Sequence, residues 1–204
     1  MQIKGIDVSK WQGKIDFAKV KKSGIEFVIL RAGYGKEAKD PTFDTNYKAA
    51  KAAGLQVGAY WYSYAKSKED AKKEAATCLK VLKGKPLDLP IYYDVEDKSQ
   101  LDKGQKVVCD IINTFCKELE SKNYFVGLYM SKFFLERYTD AKIRANYTVW
   151  VAQYSKECTY KENFDMWQYS SQGRVYGING NVDMDILYRD LASITSILFG
   201  WTPV

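Results

Sequence analysis

Residues 89–99 read LPIYYDVEDKS, and they place two acids at the end of a short apolar run. Apolar and aromatic residues at positions 91–93 and 95 predict a buried strand over LPIYYDVED (89–97). A buried carboxylate is unfavourable unless it is paired or takes part in chemistry. Because side chains two residues apart on a strand face the same way, Asp94 and Glu96 are predicted to project together from one face of this strand.

Strand and helix signals alternate on both sides of this run. The other stretches that predict strands are QIKGIDV (2–8), EFVILRAGYG (26–35), LQVGAYWYSYA (55–65), YFVGLYM (124–130), YTVWVAQY (147–154), FDMWQYSS (164–171) and NVDMDILY (181–188). Helices are predicted after the first five strands: one capped by Asp16, one that stops at Gly54, one between Ser67 and Gly84, one over 104–122 and a short one after Ser131.

Repeated strand–helix units predict a parallel sheet with right-handed crossovers. About eight strands, with helices after only the first five, predict an α/β fold: a single-domain, closed and irregular TIM-like barrel of the (β/α)5(β)3 kind. An open doubly wound sheet is the alternative. In either fold the functional site is expected at the C-terminal ends of the strands.

The amino-acid composition excludes several classes of catalytic and metal site. The chain has no histidine, which excludes His-based triads and the common zinc sites that contain histidine. Any general acid–base catalysis would then use Asp, Glu, Tyr or Lys side chains. We expect no cofactor and no metal. The formal net charge of +6 comes from lysines dispersed over predicted helices, so no compact basic patch favours nucleic acid as a partner.

The four cysteines are Cys78, Cys109, Cys116 and Cys158, and their spacing is not that of a metal site. We expect all four to be reduced and mostly buried. The N-terminus lacks the apolar core of a signal peptide, and no run is long enough to span a membrane. We expect a monomer in which residues 1–190 form one catalytic barrel and residues 191–204 form a packed C-terminal segment or a linker remnant.

Four acids are predicted to meet at the strand ends: Asp7 in the first strand, Asp94 and Glu96 in the fourth, and Asp183 in the last. Carboxylates that converge in a cleft raise one another's pKa, so a proton donor can stand beside an anion. Hydrolysis of a glycosidic bond needs that pairing.

Other interpretations of the same acids remain open. Strand-end acids often cap a helix or pair with lysine, and Asp183 is equally able to pair with Arg174 or Arg189. Asp185 is interpreted as a solvated or ion-paired neighbour. A divalent-cation site is a third interpretation, although the spacing of these oxygen ligands is not diagnostic. The glycine-rich RAGYGK at 31–36 lacks a phosphate-loop motif and is interpreted as a tight turn, with Arg31 available to neutralise a carboxylate.

The stretches GIDVSKWQG, FVILRAGYG, GAYWYSYA, YYDVED, WVAQY and WQYSSQGRVYGINGNVDMDI occur in one order along the chain. Together they resemble the glycoside hydrolase family 25 lysozymes, which are Chalaropsis-type N-acetylmuramidases. The resemblance implies a barrel of five βα units plus three strands. It also implies cleavage of the β-1,4 bond between N-acetylmuramic acid and N-acetylglucosamine in bacterial peptidoglycan, at the cell wall.

The same resemblance implies roles for the four acids. Glu96 matches the family's general acid/base, and Asp94 matches the residue that acts as nucleophile or orients the 2-acetamido group. Asp7 and Asp183 are expected to hold Glu96 and the sugar by hydrogen bonds and to raise the pKa of the acid. The residues expected to line the sugar groove are Tyr62, Tyr129, Trp150, Gln153 and Trp167, and Arg31 is also expected to contribute to substrate binding.

Two positions depart from the family pattern. Tyr60-Trp61-Tyr62 stands where the third strand often reads YHF, and Asp185 stands where the family commonly has Asn. The missing signal peptide fits either a phage-type endolysin or a trimmed secreted domain. The alternative function is a non-catalytic glycan-binding module on the same barrel. A sugar-phosphate isomerase or aldolase lacks support, because no phosphate loop and no distinctive lysine is evident.

Overall fold

A single sheet runs through residues 2–199, the part of the chain that the computed structural model describes. Its strands are β1 (Ile3–Val8), β2 (Phe27–Tyr34), β3 (Ala38–Lys39), β4 (Gln56–Tyr62), β5 (Ile91–Asp94), β6 (Val126–Ser131), β7 (Thr148–Ala152), β8 (Met166–Gly173) and β9 (Val182–Leu187). The order is β1-β9-β8-β7-β6-β5-β4-β2-β3, and β1 also pairs with β2. The sheet therefore closes into an eight-stranded barrel with β3 attached to its rim, and the open-sheet alternative is excluded.

Neighbouring strands from β1 through β2 and β4 to β8 pair in parallel, whereas β9 runs antiparallel to both β8 and β1. The helices are α1 (Phe17–Lys22), α2 (Phe43–Ala52), α3 (Lys68–Leu82), α4 (Lys98–Leu101), α5 (Gln105–Glu120), α6 (Lys132–Tyr138), α7 (Ala141–Asn146) and α8 (Leu191–Phe199). Helices follow each of the first five barrel strands and are absent from the β7–β8 and β8–β9 connections. This arrangement confirms the predicted barrel of five βα units and three further strands.

Local capping explains where several helices begin and end. The Asp16 side chain accepts a hydrogen bond from the N–H of Lys19, and the Ser67 side chain accepts one from the N–H of Asp70. Gly54 follows α2 with φ 72°, a left-handed conformation that favours glycine. Four short elements were not predicted, namely β3, α4, α7 and a 3-10 helix over Lys10–Gln12. They have two to six residues, too few to show a hydrophobic period.

Two apolar cores hold the barrel. The larger lies between the sheet and the helices. The smaller fills the barrel interior with alternate, inward-facing side chains, including Phe27, Tyr92, Trp150 and Met166. Leu191 and Ala192 of α8 belong to this inner core, together with residues from the N-terminal ends of the parallel strands. The helix thus covers the end of the barrel opposite the expected site.

The structure bears on three further expectations. All four cysteines are free; three are buried and Cys158 is half-buried. Among residues 2–199, no helix is both long and apolar enough to cross a lipid bilayer. Within the predicted C-terminal segment, α8 is packed as far as its first turns, whereas residues 200–204 lie outside the described residues.

Candidate active site

Three of the four predicted acids line one cavity at the C-terminal mouth of the barrel. Asp94 is the last residue of β5, and Asp7 and Asp183 stand opposite each other in the β1–β9 pairing. The cavity measures about 200 Å³ and is lined by Asp7, Arg31, Tyr60, Tyr62, Asp94, Tyr129, Trp150, Tyr154, Gln168 and Asp183. We call it the acid cavity. The strand-end rule therefore places these acids together, as the sequence predicted.

Glu96 lies beside this cavity rather than on the strand. β5 ends at Asp94, so Glu96 belongs to the loop that leads to α4, which corrects the longer strand predicted from sequence. Its Oε1 accepts a hydrogen bond of 3.0 Å from the N–H of Ser131. Glu96 lines a second cavity of about 350 Å³, and Tyr129 and Tyr154 line both cavities. The two cavities therefore adjoin.

A glutamine organises the side of the acid cavity formed by β8. Gln168 Nε2 donates to Asp7 Oδ2 at 2.7 Å, and Gln168 Oε1 accepts from the hydroxyls of Tyr129 and Tyr154, both at 2.9 Å. Asp7 and Asp183 were expected to hold Glu96 by hydrogen bonds. Instead, Asp7 is bound by Gln168 and Glu96 by Ser131. β9 pairs with both β1 and β8, which brings Gln168 of β8 within reach of Asp7.

Asp94 and Arg31 face the acid cavity with unpaired polar atoms. Asp94 is buried, and its Oδ1 has no hydrogen-bond partner among the described residues. Arg31 Nε donates to buried Asp40 at 2.8 Å, while its Nη2 is buried without a partner in the same part of the chain. The charge of Arg31 lowers the pKa of Asp94, against the larger effect of burial. The guanidinium thus favours an ionised Asp94.

Burial favours the protonated forms of the carboxyl groups at the barrel mouth. Burial raises the pKa of Asp94 well above its usual range, and the charge of Glu96 raises it further. Burial also raises the pKa of Glu96, which the Ser131 N–H opposes. Burial raises the pKa of Asp183 to about 6. Because the charges of Asp94 and Glu96 interact, the pair is able to hold a proton beside an anion at a higher pH than separate, exposed carboxyl groups would.

Asp185 corrects an expectation. It was interpreted as solvated or ion-paired, but its side chain is fully buried and its Oδ1 accepts from Trp150 Nε1 at 2.9 Å. The two arginines considered as partners for Asp183 lie elsewhere: Arg189 pairs with Asp165, and Arg174 makes no ion pair within residues 2–199. Strand alternation placed Asp185 on the same inward face as Asp183, a signal that the sequence already carried.

The predicted groove residues divide into three groups. Tyr62 lines both the acid cavity and a third cavity of about 330 Å³, which it shares with Lys10, Trp11, Arg31, Tyr34 and Tyr64. Tyr129 and Gln153 line the cavity of Glu96, while Trp150 is buried and forms the floor of the acid cavity. Trp167 is a correction: it faces away from the barrel interior into the helix-side core.

The three adjoining cavities form a continuous groove across the barrel mouth, which we call the mouth groove. Exposed Trp11, Tyr64 and Tyr154 lie along it. Sequence reasoning did not select Gln168, Tyr154 or Tyr60 as site residues. Gln168 and Tyr60 occupy inward positions of their strands, which strand alternation indicates. Tyr154 was predicted as the last residue of a strand, but β7 ends at Ala152 and Tyr154 lies in the loop that follows.

Comparisons with known proteins agree with this geometry. A family model described as glycosyl hydrolases family 25 matches residues 6–178. The autolytic lysozyme of Clostridium acetobutylicum is 32% identical over 189 residues, covering 90% of this chain and 55% of that protein. This chain therefore spans about half the length of that relative.

Solved structures show the same fold. The CTP1L endolysin matches with a TM-score of 0.84 at 25% identity, covering 95% of this chain and 69% of that one. The modular autolysin LytC from Streptococcus pneumoniae, in complex with a synthetic peptidoglycan ligand, matches with a TM-score of 0.80 at 29% identity. That match covers 92% of this chain and 47% of LytC.

Proposed function

Because this chain belongs to glycosyl hydrolases family 25, we propose that it is a lysozyme that cleaves the β-1,4 bond between N-acetylmuramic acid and N-acetylglucosamine in bacterial peptidoglycan. The observation that carries the proposal is the set of buried acids at the centre of the mouth groove. Clustered, buried carboxylates destabilise a fold, so their presence is explained best by a catalytic use. A pure glycan-binding module gains nothing from their mutual repulsion.

Glu96 is the proton donor in this proposal. It is half-buried, so its carboxyl group reaches the groove, and burial raises its pKa toward the range of a general acid. The Ser131 N–H holds one oxygen, which leaves the other for the glycosidic oxygen. Departure of the protonated leaving group leaves positive charge on the sugar ring.

Asp94 is the anion that stabilises this developing charge. Its Oδ1 is desolvated and unpaired at the cavity, and Arg31 favours its ionised form. In a water-poor site an ionised oxygen next to a positive centre contributes far more than it does in bulk water. The same oxygen is positioned to accept a hydrogen bond from a 2-acetamido N–H or to bond to the anomeric carbon.

The mouth groove supplies the binding surface. Exposed aromatic rings along it, including Trp11, Tyr64 and Tyr154, offer flat apolar faces on which sugar rings stack. Three adjoining cavities are able to hold several sugar units in a row, so glycan strands at the bacterial cell wall are the proposed substrate.

The proposal is tested with purified cell walls. Glu96→Gln keeps an oxygen for the Ser131 N–H but removes the ionisable proton, so turbidity clearing should fall about 100-fold or more. Glu69→Gln, on the exposed face of α3, is the matched control and should clear walls like the native protein. Near-native activity in Glu96→Gln would contradict the assignment.

Mass analysis of the products identifies the bond. New reducing ends on N-acetylmuramic acid are expected. Reducing ends on N-acetylglucosamine would overturn the proposed bond specificity, and binding to walls without any new reducing ends would support the glycan-binding module instead.

A further inference from the structure

The buried carboxyl group of Asp185 has no positive partner. It lies on β9 opposite Gly5 of β1, beneath the acid cavity, and its side chain is fully buried. Oδ1 accepts from Trp150 Nε1, but Oδ2 has no donor among the described residues. The cation nearest the acid cavity, Arg31, is bound to Asp40. An ionised carboxylate in such surroundings is strongly disfavoured.

The group next to Asp185 is another acid. Asp7 lies two residues along β1 from Gly5, the residue opposite Asp185, so both side chains project from the inward face of the β1–β9 pair and come within hydrogen-bonding reach. The other side of Asp7 is held by Gln168. Two carboxylates cannot hydrogen-bond to each other, and their charges repel strongly away from water. A hydrogen bond between them requires one proton on the pair, as in other carboxyl dyads.

We propose that Asp185 and Asp7 hold one proton between them, so that Asp185 acts as a positioning residue that fixes Asp7 at the barrel mouth. Asp7 then has two hydrogen bonds, from Gln168 on one side and through the shared proton on the other. The pair contributes one negative charge to the acid cavity instead of two. This role rests on the proposed hydrolase function, whereas the shared proton itself is a property of the fold.

Other groups that face the pair set its titration. They are Asp183 on β9, Asp94 and Tyr92 on β5, Arg31 on β2, Tyr60 on β4, Tyr129 on β6 and Tyr154 in the loop after β7. Tyr169 of β8 packs against the helix-side core and senses the charge of Asp185 from there. Burial raises the pKa of both Asp7 and Asp185, and the charge of Asp183 raises both further. Acidic neighbours outnumber the single cation, so the surroundings favour retention of a proton.

The stability of Asp185→Asn tests the shared proton without reference to activity. An unfolded aspartate releases its proton near pH 3.9, whereas the folded pair retains one at higher pH. The native protein therefore loses stability relative to Asp185→Asn as the pH rises from about 4.5 to about 7.5. The gain in Tm of Asp185→Asn over the native protein should grow by about 3 °C or more across that range.

A difference in Tm that stays constant or shrinks with rising pH would overturn the proposal. Asp102→Asn, at the exposed end of α4, is the control and should show no comparable growth. These measurements decide the question even if wall hydrolysis is not observed.

Activity tests the positioning role. The Asn amide is able to donate to Asp7 and to accept from Trp150 Nε1, and the net charge of the pair stays at one. Asp185→Asn should therefore clear walls within about threefold of the native rate. The midpoint of the alkaline limb of its pH–activity profile should equal that of the native protein. Asp185→Ala removes the support of Asp7 and should lose about tenfold or more. A downward shift of the alkaline midpoint in Asp185→Asn, or full activity in a folded Asp185→Ala, would contradict the role.

Discussion

At the scale of single residues, Arg31 balances the acids of the mouth groove. It is the one cation among the residues that line the acid cavity, and its guanidinium is held in place through Asp40. Asp40 in turn accepts hydrogen bonds from the N–H of Lys10 and the N–H of Thr42. Asp40 therefore keeps donors if Arg31 is replaced, which makes Arg31 a usable site for substitution.

We expect Arg31→Gln to move the acid limb of the pH–activity profile toward higher pH. The positive charge of Arg31 lowers the pKa of Asp94. Its removal raises that pKa, so a higher pH is needed before Asp94 ionises. Initial rates of wall clearing across the acidic range measure the midpoint of this limb.

Two further variants control for loss of fold. Arg31→Lys keeps the positive charge and should shift the midpoint less than Arg31→Gln does. Arg189→Gln removes an arginine that pairs with Asp165 outside the acid cavity and should leave the profile unchanged. An acid limb that stays in place in Arg31→Gln would rule out the proposed effect on Asp94.

At the scale of elements, α3 anchors the loop that carries part of the mouth groove. Glu74 on α3 is fully buried and accepts hydrogen bonds from the Tyr93 hydroxyl at 2.7 Å and from the N–H of Tyr64 at 2.9 Å. Tyr64 lines the groove beyond β4. The helix therefore fixes both the outer face of β5 and the start of the loop after β4.

Glu74→Ala should lower the free energy of unfolding by about 2 to 4 kcal/mol. The substitution leaves two donors without an acceptor in the protein interior, and each unsatisfied buried group costs about 1 to 3 kcal/mol. Chemical denaturation monitored by tryptophan fluorescence measures the loss. Glu69→Ala changes an exposed residue of the same helix and should have an effect below about 0.5 kcal/mol. Equal losses in the two variants would show that the buried network does not anchor α3.

At the scale of the whole molecule, the barrel has one functional end and one closed end. Acids, tyrosines and Gln168 occupy the C-terminal mouth, whereas Leu191 and Ala192 of α8 complete the apolar core near the opposite end. We infer that α8 is an integral part of the barrel domain rather than a linker. Ile197 and Leu198, near the end of the same helix, are exposed and contribute little to this core.

Leu191→Ala tests the role of α8 as a cover. Leu191 is fully buried in the inner core, and truncation of a buried leucine costs about 2 to 5 kcal/mol. Thermal and chemical unfolding should both register this loss. Leu198→Ala is the matched control on the same helix and should change stability by less than about 0.5 kcal/mol. A Leu191→Ala protein as stable as the control would show that α8 is dispensable for the fold.

The sequence by itself determined the eight barrel strands, their order and the presence of helices after the first five of them. Alternation identified the strands, Asp16, Ser67 and Gly54 marked helix ends, and the loss of helices after the fifth strand predicted the barrel. The strand-end rule also assembled Asp7, Asp94 and Asp183 into one cavity, because parallel strands end at the same rim. These predictions succeeded because capping and strand periodicity act within a few residues of the chain.

Only the tertiary structure decided which of the assembled groups contact each other. Gln168 meets Asp7 across 161 positions of sequence, and Trp150 meets Asp185 across 35. Trp167 and Gln168 are adjacent in the chain, yet one enters the helix-side core and the other holds a site acid. Strand register and barrel closure decide which of these side chains contact each other, and both depend on how all eight barrel strands pack together. The local sequence pattern specifies the face on which a side chain lies but not the residue that it contacts.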